Sequence, residues 1–147
     1  MAVQARSLSA DRPKKAWSLL RITAAAQGVY FSATGIWPLI HMRSFLAVTG
    51  PKVDLWLVET VAVLVLGIGL ALLVAAARDR IGPDLLVMVL VVSIGLASID
   101  TIYPMRDRIW NIYLLDAIAQ LGFILLWSIG WFTRGRNAAS NEATDAV

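Results

Sequence analysis

Four long apolar segments dominate the chain, and short polar connections separate each segment from the next. A helix needs about 20 apolar residues to cross about 30 Å of hydrocarbon, and each segment is close to that length. The pattern predicts an all-α, polytopic membrane protein, built as a bundle of four transmembrane helices. In chain order the predicted helices are residues 22–40, 55–77, 85–103 and 109–132.

The connections contain residues that cap or break helices. Asp54 is placed to cap the second helix, and Gly82-Pro83 turns the chain towards the third. Residues 41–53 mix apolar and charged side chains and close at Gly50-Pro51. They form either an interfacial loop or short helix that lies on the membrane, or a plain connecting loop.

The first predicted helix is the most polar of the four, since it contains Gln27 and Tyr30. Neighbouring helices are therefore expected to bury it. The small residues Ala24, Gly28 and Ser32 recur every four positions. This spacing allows two helix backbones to approach closely in lipid.

One stretch of the chain occurs twice in similar form. Residues 54–62 read DLWLVETVA, and residues 111–119 read NIYLLDAIA, with the acids Glu59 and Asp116 at the same offset. The first and third helices also end in similar sequences, GIWP and TIYP. The chain is then either two parallel helical-hairpin pseudo-repeats or a coincidence of apolar composition.

Composition supports a membrane environment and excludes several kinds of chemistry. The chain has 147 residues, of which 59 % are hydrophobic, whereas about half are apolar in an ordinary soluble domain. The absence of cysteine excludes disulfides and thiolate catalysis, and a single histidine argues against a zinc site. The sequence contains no phosphate-binding loop and no nucleic-acid patch. We expect no metal, no cofactor and no nucleic-acid partner.

The distribution of basic residues predicts the orientation of the helices. Most of the thirteen Lys and Arg residues lie before the first helix, after the second and after the fourth. The positive-inside rule therefore places both termini in the cytoplasm, in the cell inner membrane. Residues 17–133 form the transmembrane domain, residues 1–16 a cytoplasmic tail, and residues 134–147 a disordered cytoplasmic tail.

Three acids lie inside the predicted helices, all in the half of the membrane away from the cytoplasm. We treat Glu59, Asp100 and Asp116 as the candidate catalytic residues. Polar and aromatic residues on the helix faces and in the loops of the same side are the candidate ligand-binding residues. These are Tyr30, Trp56, Tyr113, Gln120, Gln27, Arg43 and Arg106.

Two interpretations of the acids compete. An acid at mid-helix costs about 3 kcal/mol on insertion scales, so each acid needs an explanation. In the first interpretation the acids form ion pairs with Arg43, Arg106 or Arg108 and fix the loops to the bundle. In the second, they line a cavity open to the outer leaflet and act as proton donors or ligand anchors. A contact between copies of the chain is a third use of the acids. His41 is either a proton relay near them or incidental.

The stretches GIWPLIHMRSF and VTGPKVDLWLVETV, with the four-helix layout, resemble small uncharacterised bacterial inner-membrane proteins. The layout alone is also similar to the sterol-isomerase and sigma-2-receptor superfamily. That second resemblance implies a membrane bundle that uses buried acids on apolar ligands. It matches no individual residue, so it implies no catalytic roles here.

The first hypothesis for function is a small integral membrane protein that binds an amphipathic or lipid-like molecule in an acid-lined cavity. Its partner is then a membrane lipid or an apolar small molecule. Carboxylic acids without metal or thiol suit proton-transfer chemistry, so the sequence leaves open whether the protein is an enzyme. The alternatives are a proton- or cation-coupled transporter, or a subunit of one, and a structural or assembly protein without a ligand. The chain can also form a homo-oligomer.

Overall fold

A computed structural model describes the backbone of residues 18–145 and the side chains of residues 18–136. This part of the chain folds into four α-helices and contains no strand. The prediction of an all-α, four-helix protein is confirmed. The helices are α1 (Leu19–Thr49), α2 (Leu55–Ala77), α3 (Pro83–Met105) and α4 (Tyr113–Asp145).

Two helices are longer than the sequence predicts. α1 continues past residue 40 through a kink at His41, where φ is −145° and ψ is 72°. Residues 42–49 are therefore helical, so the interpretation as a plain loop is wrong. α4 continues past residue 132 to Asp145, where the sequence predicts a disordered tail. Neither Gly nor Pro occurs after Gly135 to interrupt it. The predicted N-terminal tail, residues 1–16, lies outside the described residues.

The kink in α1 is held by side chains on both sides of His41. Pro38 lies one turn before it and cannot donate a backbone hydrogen bond. The Ser44 backbone N–H donates to Nδ1 of His41 at 3.2 Å, so His41 caps the helical turns that follow. Trp37 Nε1 donates to the Ser44 hydroxyl at 2.8 Å, and the Trp37 ring packs edge-on against Phe45. In the structure His41 therefore has a local structural role.

α1 and α2 pack closely because glycines face each other across their contact. A Cβ on Gly69 would lie 2.6 Å from the backbone nitrogen of Ser32. A Cβ on Gly35 would lie 2.7 Å from the carbonyl oxygen of Ala62. A Cβ on Gly28 would lie 2.9 Å from Cγ of Leu73 and 3.0 Å from the carbonyl oxygen of Gly69. The close approach predicted from the small-residue spacing in α1 is confirmed.

Arginines stabilise the ends of the helices at the opposite end from the kink. Arg21 Nε donates to the Ala76 carbonyl at 2.7 Å, near the C-terminus of α2. Arg134 Nη1 donates to the Ile81 carbonyl at 2.7 Å, in the connection between α2 and α3. Cations in the last turn of a helix interact favourably with its dipole. Asp54 occupies the capping position of α2 as predicted, but its side chain makes no capping hydrogen bond.

The four helices pack in the order α2, α1, α4, α3. α1 contacts both α2 and α4, and α3 contacts α4. Within residues 18–145, the backbones of α2 and α3 do not approach each other closely. If the two hairpins were symmetric repeats, α3 would correspond to α1 and α2 to α4. The contact between α1 and α4 would then be matched by an equivalent contact between α3 and α2. The two copies of the repeated sequence consequently lie in different environments.

By length and composition, α2, α3 and Tyr113–Arg136 of α4 can each cross a membrane. The chain is therefore a helical membrane protein. The buried core lies mainly between α1 and its neighbours and consists of large apolar side chains from all four helices. Its largest members are Trp127, Phe31, Leu72 and Val89.

Candidate functional site

Two carboxyl groups meet between α3 and α4. Asp100 lies near the C-terminal end of α3 and is 4 % exposed, and Asp116 lies in the first turn of α4. The carboxyl groups of Asp100 and Asp116 are close enough to interact with each other.

Asp116 is the centre of this group because two further side chains donate to it. The Tyr30 hydroxyl, from α1, donates to Oδ1 of Asp116. Gln120 Nε2, one turn further along α4, donates to Oδ1 at 3.3 Å and to Oδ2 at 3.5 Å. The Tyr30 ring also packs against the ring of Phe123, with their centroids 5.8 Å apart. We call Tyr30, Asp100, Asp116 and Gln120 the carboxyl site.

The carboxyl site contains two buried acceptor atoms that lack a donor. Among the residues that the structure describes, Oδ2 of Asp100 and Oε1 of Gln120 have no hydrogen-bond partner. Gln120 is fully buried. An unpaired buried polar atom costs about 1–3 kcal/mol, and native structures contain few of them. Both atoms are acceptors, so a group that satisfies them must be a hydrogen-bond donor.

A second polar group, deeper in the bundle, is fully paired. Gln27 Nε2 donates to the Ser93 hydroxyl at 2.8 Å, and Trp127 Nε1 donates to Gln27 Oε1 at 2.7 Å. Gln27, Ser93 and Trp127 are each at most 1 % exposed. They join α1, α3 and α4. Because both ends of the Gln27 amide are occupied within the protein, the group holds helices together.

The structure separates Glu59 from the other two acids. Its side chain is exposed on α2, as is the side chain of Trp56. Within the described residues the Glu59 carboxylate has no hydrogen-bond or ion-pair partner. The expectation that three acids form one cluster is therefore wrong for Glu59. Val58 is half-buried on the face of α2 that packs on α1. Successive residues of a helix point about 100° apart, so Glu59 points away from that face.

The basic loop residues do not neutralise the acids. Arg43 and Arg106 are exposed. In residues 18–136, no ion pair joins Asp100 or Asp116 to Arg43, Arg106 or Arg108. The interpretation of Asp100 and Asp116 as ion-pair partners of these arginines is thus not what the structure shows. Asp116 instead accepts hydrogen bonds from Tyr30 and Gln120.

A groove of about 600 Å³ lies at the end of the bundle where α1 leads into α2 and α3 leads into α4. Residues 49–52 form one wall and residues 107–112 the other. Gly50, with φ of 86°, lies so close to the Trp110 indole that a Cβ would be 2.9 Å from its Nε1. We call this feature the loop groove. The apolar and polar pattern of the sequence does not predict this groove, although Gly50-Pro51 and Trp110 mark its two walls.

Lys52 connects the loop groove to the candidate residue Tyr113. Lys52 Nζ donates to the Thr49 carbonyl at 2.9 Å and lies 5.0 Å from the centre of the Tyr113 ring. Tyr113 begins α4, one turn before Asp116. Tyr113 therefore lies between the loop groove and the carboxyl site.

These features define a class of protein: a helical membrane protein with two neighbouring carboxyl groups between its helices and a groove at one end of the bundle. Within residues 18–136, no group of three or more His, Cys, Asp or Glu side chains is arranged so that it could hold a metal ion. No protein-family model matches the chain, and comparisons with the curated proteins and the solved structures return no match. The resemblances noted from the sequence therefore remain hypotheses.

Proposed function

We propose that the protein binds an amphipathic or lipid-like molecule through the carboxyl site. The observation that carries the proposal is the pair of buried, unpartnered acceptors, Oδ2 of Asp100 and Oε1 of Gln120. A hydroxyl or amine on the polar end of the molecule would donate to these acceptors. A hydrogen bond contributes about 0.5–1.5 kcal/mol, so satisfying these atoms favours binding.

The depth of the site suits a molecule with one polar and one apolar end. Asp100 lies five residues before the end of α3, and Asp116 lies three residues after the start of α4. At 1.5 Å per residue, both carboxyl groups are about 5–8 Å inside the helix ends. A polar end at this depth leaves an apolar tail in hydrocarbon. The rings of Tyr30 and Phe123 form an apolar wall beside the acids.

Proton transfer is the chemistry that the carboxyl site can perform if the protein is an enzyme. Asp100 and Asp116 are neighbouring carboxyl groups, and the Tyr30 hydroxyl donates to Oδ1 of Asp116. A protonated carboxyl group close to a bound molecule can act as a general acid, and the ionised group can act as the base. Isomerisation and cyclisation of an apolar substrate need only these two steps.

The proposal includes four membrane crossings, with α1 as the fourth. α1 runs antiparallel along α2, from Arg21 beside Ala76 to Gly35 beside Ala62. If α2 crosses the membrane, α1 crosses it too. The distribution of basic residues then supports cytoplasmic termini and, with the resemblance to bacterial proteins, the cell inner membrane.

The test is to identify the molecule that purifies with the protein. We expect mass spectrometry of detergent-purified protein to find one amphipathic species that is lost in Asp100→Asn and Asp116→Asn. Glu59→Gln is the matched control, because its side chain is exposed on α2, and it should keep the species. Circular dichroism and gel filtration verify that each variant is folded.

Three results contradict the proposal. If folded Asp100→Asn retains the species as well as Glu59→Gln does, the carboxyl site does not bind it. If the wild-type protein carries no such molecule but conducts protons when reconstituted in vesicles, the transporter alternative replaces the proposal. A protein that neither carries a molecule nor conducts supports a structural role.

A further inference from the structure

The loop groove has the size of a binding site. Its volume of about 600 Å³ falls within the range of about 300–1,000 Å³ that ligand sites occupy. Gly50 of one wall lies against the Trp110 indole of the other. None of the carboxyl-site residues lines it. The loop groove is therefore a separate feature of the molecule.

The lining of the loop groove has an excess positive charge. It contains Lys52 and Arg108 but only one acid, Asp107. In the described part of the chain, Asp107 forms no ion pair with either cation, and the Arg108 side chain has no hydrogen-bond partner. The groove thus presents one uncompensated positive charge.

Lys52 is held in place but keeps donors available. Its ammonium group has three N–H donors, and the Thr49 carbonyl accepts from this nitrogen at 2.9 Å. Its position over the Tyr113 ring adds a cation–π contact that orients the side chain. Arg108 contributes a guanidinium group with five donors in a planar fork, which fits two oxygens of a phosphate.

The position of the loop groove selects the kind of anion. It lies at the ends of α3 and α4, both of which can cross a membrane. Large apolar side chains surround this end and are exposed: Trp110 is 52 % exposed and Val53 is 97 % exposed. Aromatic residues at helix ends are typical of the level of the lipid head groups. Head-group phosphates are the anions concentrated at that level.

We propose that the loop groove binds the phosphodiester group of an anionic phospholipid. The single negative charge of a phosphodiester balances the uncompensated positive charge of the groove. Arg108 and Lys52 donate to the phosphate oxygens, and the Trp110 ring packs beside the glycerol and upper acyl chains. The proposal does not depend on the function proposed for the carboxyl site.

The experiment titrates delipidated protein with phosphatidylglycerol and counts bound lipid by native mass spectrometry. Phosphatidylcholine and diacylglycerol are the comparison lipids, and glycerol 3-phosphate tests whether a soluble phosphate binds as well. We expect phosphatidylglycerol to bind most tightly. Loss of one charged hydrogen bond in Arg108→Gln should weaken binding about tenfold, whereas Arg108→Lys keeps the charge and should retain most of it.

Substitutions of Asp107 and Arg108 should change the binding of phosphatidylglycerol in opposite directions. If the two residues only stabilised the fold, both substitutions would weaken binding. Asp107→Asn removes the negative charge from the groove, so it should tighten the binding of phosphatidylglycerol. Arg80→Gln, an exposed arginine at the other end of the bundle, is the control and should change nothing.

Three results overturn the proposal. The first is that phosphatidylglycerol binds no better than phosphatidylcholine. The second is that Arg108→Gln and Arg80→Gln bind it equally well. The third is that glycerol 3-phosphate binds as tightly as the lipid, which would make the groove a site for soluble anions. Because Arg108 is exposed, its substitution leaves the fold intact, so these results are interpretable.

Discussion

Trp127 on α4 donates its indole hydrogen bond to Oε1 of Gln27 on α1, at 2.7 Å and with both side chains fully buried. This bond joins the two hairpins at their contact, since α1 belongs to the first and α4 to the second. The same amide donates to Ser93, so one glutamine holds three helices. The polarity of α1, unusual for a membrane helix, is therefore used in packing.

Trp127→Phe should lower the free energy of unfolding. The change keeps most of the apolar volume but leaves Oε1 of Gln27 buried without a donor, which costs about 1–3 kcal/mol. Unfolding in mixed micelles, followed by circular dichroism, measures the change. Trp56→Phe is the control, because Trp56 is 64 % exposed, and it should have little effect. Equal stability of the two variants would show that the buried bond contributes nothing.

Tyr30→Phe should destabilise the protein only while Asp116 can accept its hydrogen bond. A bond to a charged acceptor contributes about 1.5–3 kcal/mol. A double-mutant cycle with Asp116→Ala, which removes the acceptor, measures the coupling between the two side chains. We expect Tyr30→Phe to cost clearly less in the Asp116→Ala background. Strictly additive effects would contradict the contact.

Gly69→Ala should separate α1 from α2. A Cβ there meets the Ser32 backbone at 2.6 Å, and a backbone atom cannot move aside as a side chain can. We expect a loss of about 1–3 kcal/mol, typical of overpacking. Gly67→Ala, on the same helix, has no atom within 4 Å of the new Cβ. It should instead stabilise the helix by about 0.5–1 kcal/mol. Unfolding curves of both variants test this difference in sign.

Gly50→Ala should disturb the loop groove without opening the bundle. At φ of 86° and ψ of 162° an L-residue is strained, at a cost of about 1–3 kcal/mol, and the new Cβ would press on the Trp110 indole. The Trp110 fluorescence should therefore shift, measured with the other tryptophans replaced by Phe. Gly82→Ala, where nothing lies within 4 Å, should leave it unchanged. An unshifted spectrum in Gly50→Ala would contradict the packing of Gly50 on Trp110.

Labelling of single cysteines tests the proposed topology directly, because the chain contains no cysteine of its own. Val53→Cys and Arg80→Cys place thiols at exposed positions at opposite ends of the bundle. In intact cells an impermeant maleimide should label position 53 and not position 80. The reverse labelling pattern would show that the orientation is opposite to the proposed one. Labelling of both positions would contradict the topology with four crossings.

The helices were predictable because membrane helices are recognised by length and apolar content. The bounds of the second predicted helix agree with α2 at both ends. Helix caps were less predictable. Asp54 occupies the N-cap position of α2, but its side chain makes no capping hydrogen bond. α1 and α4 are longer than predicted because polar residues do not end them. α1 continues past His41 and α4 continues through residues 134–145, although the polarity of these residues indicates a boundary.

The contacts between helices were less predictable than the helices themselves. In lipid, an apolar face gains little by turning towards a protein neighbour rather than a lipid tail, so apolar pattern does not reveal which face packs. Glu59 and Asp116 occupy equivalent positions in the repeated sequence, yet Glu59 is exposed and Asp116 joins the carboxyl site. The deciding information lies in small residues: the glycines of α1 and α2 correctly indicate their close contact.

The bond between Gln27 and Trp127 also constrains how the chain is assembled in the cell. Its two residues are 100 positions apart, and the ribosome adds about 5–20 residues per second. The most polar helix is synthesised first, and its partner emerges about 5–20 s later. During that interval α2 covers only one side of α1, so the Gln27 amide faces lipid, water or the insertion machinery. A truncated chain that ends after α2 should therefore stay bound to that machinery, whereas the complete chain is released.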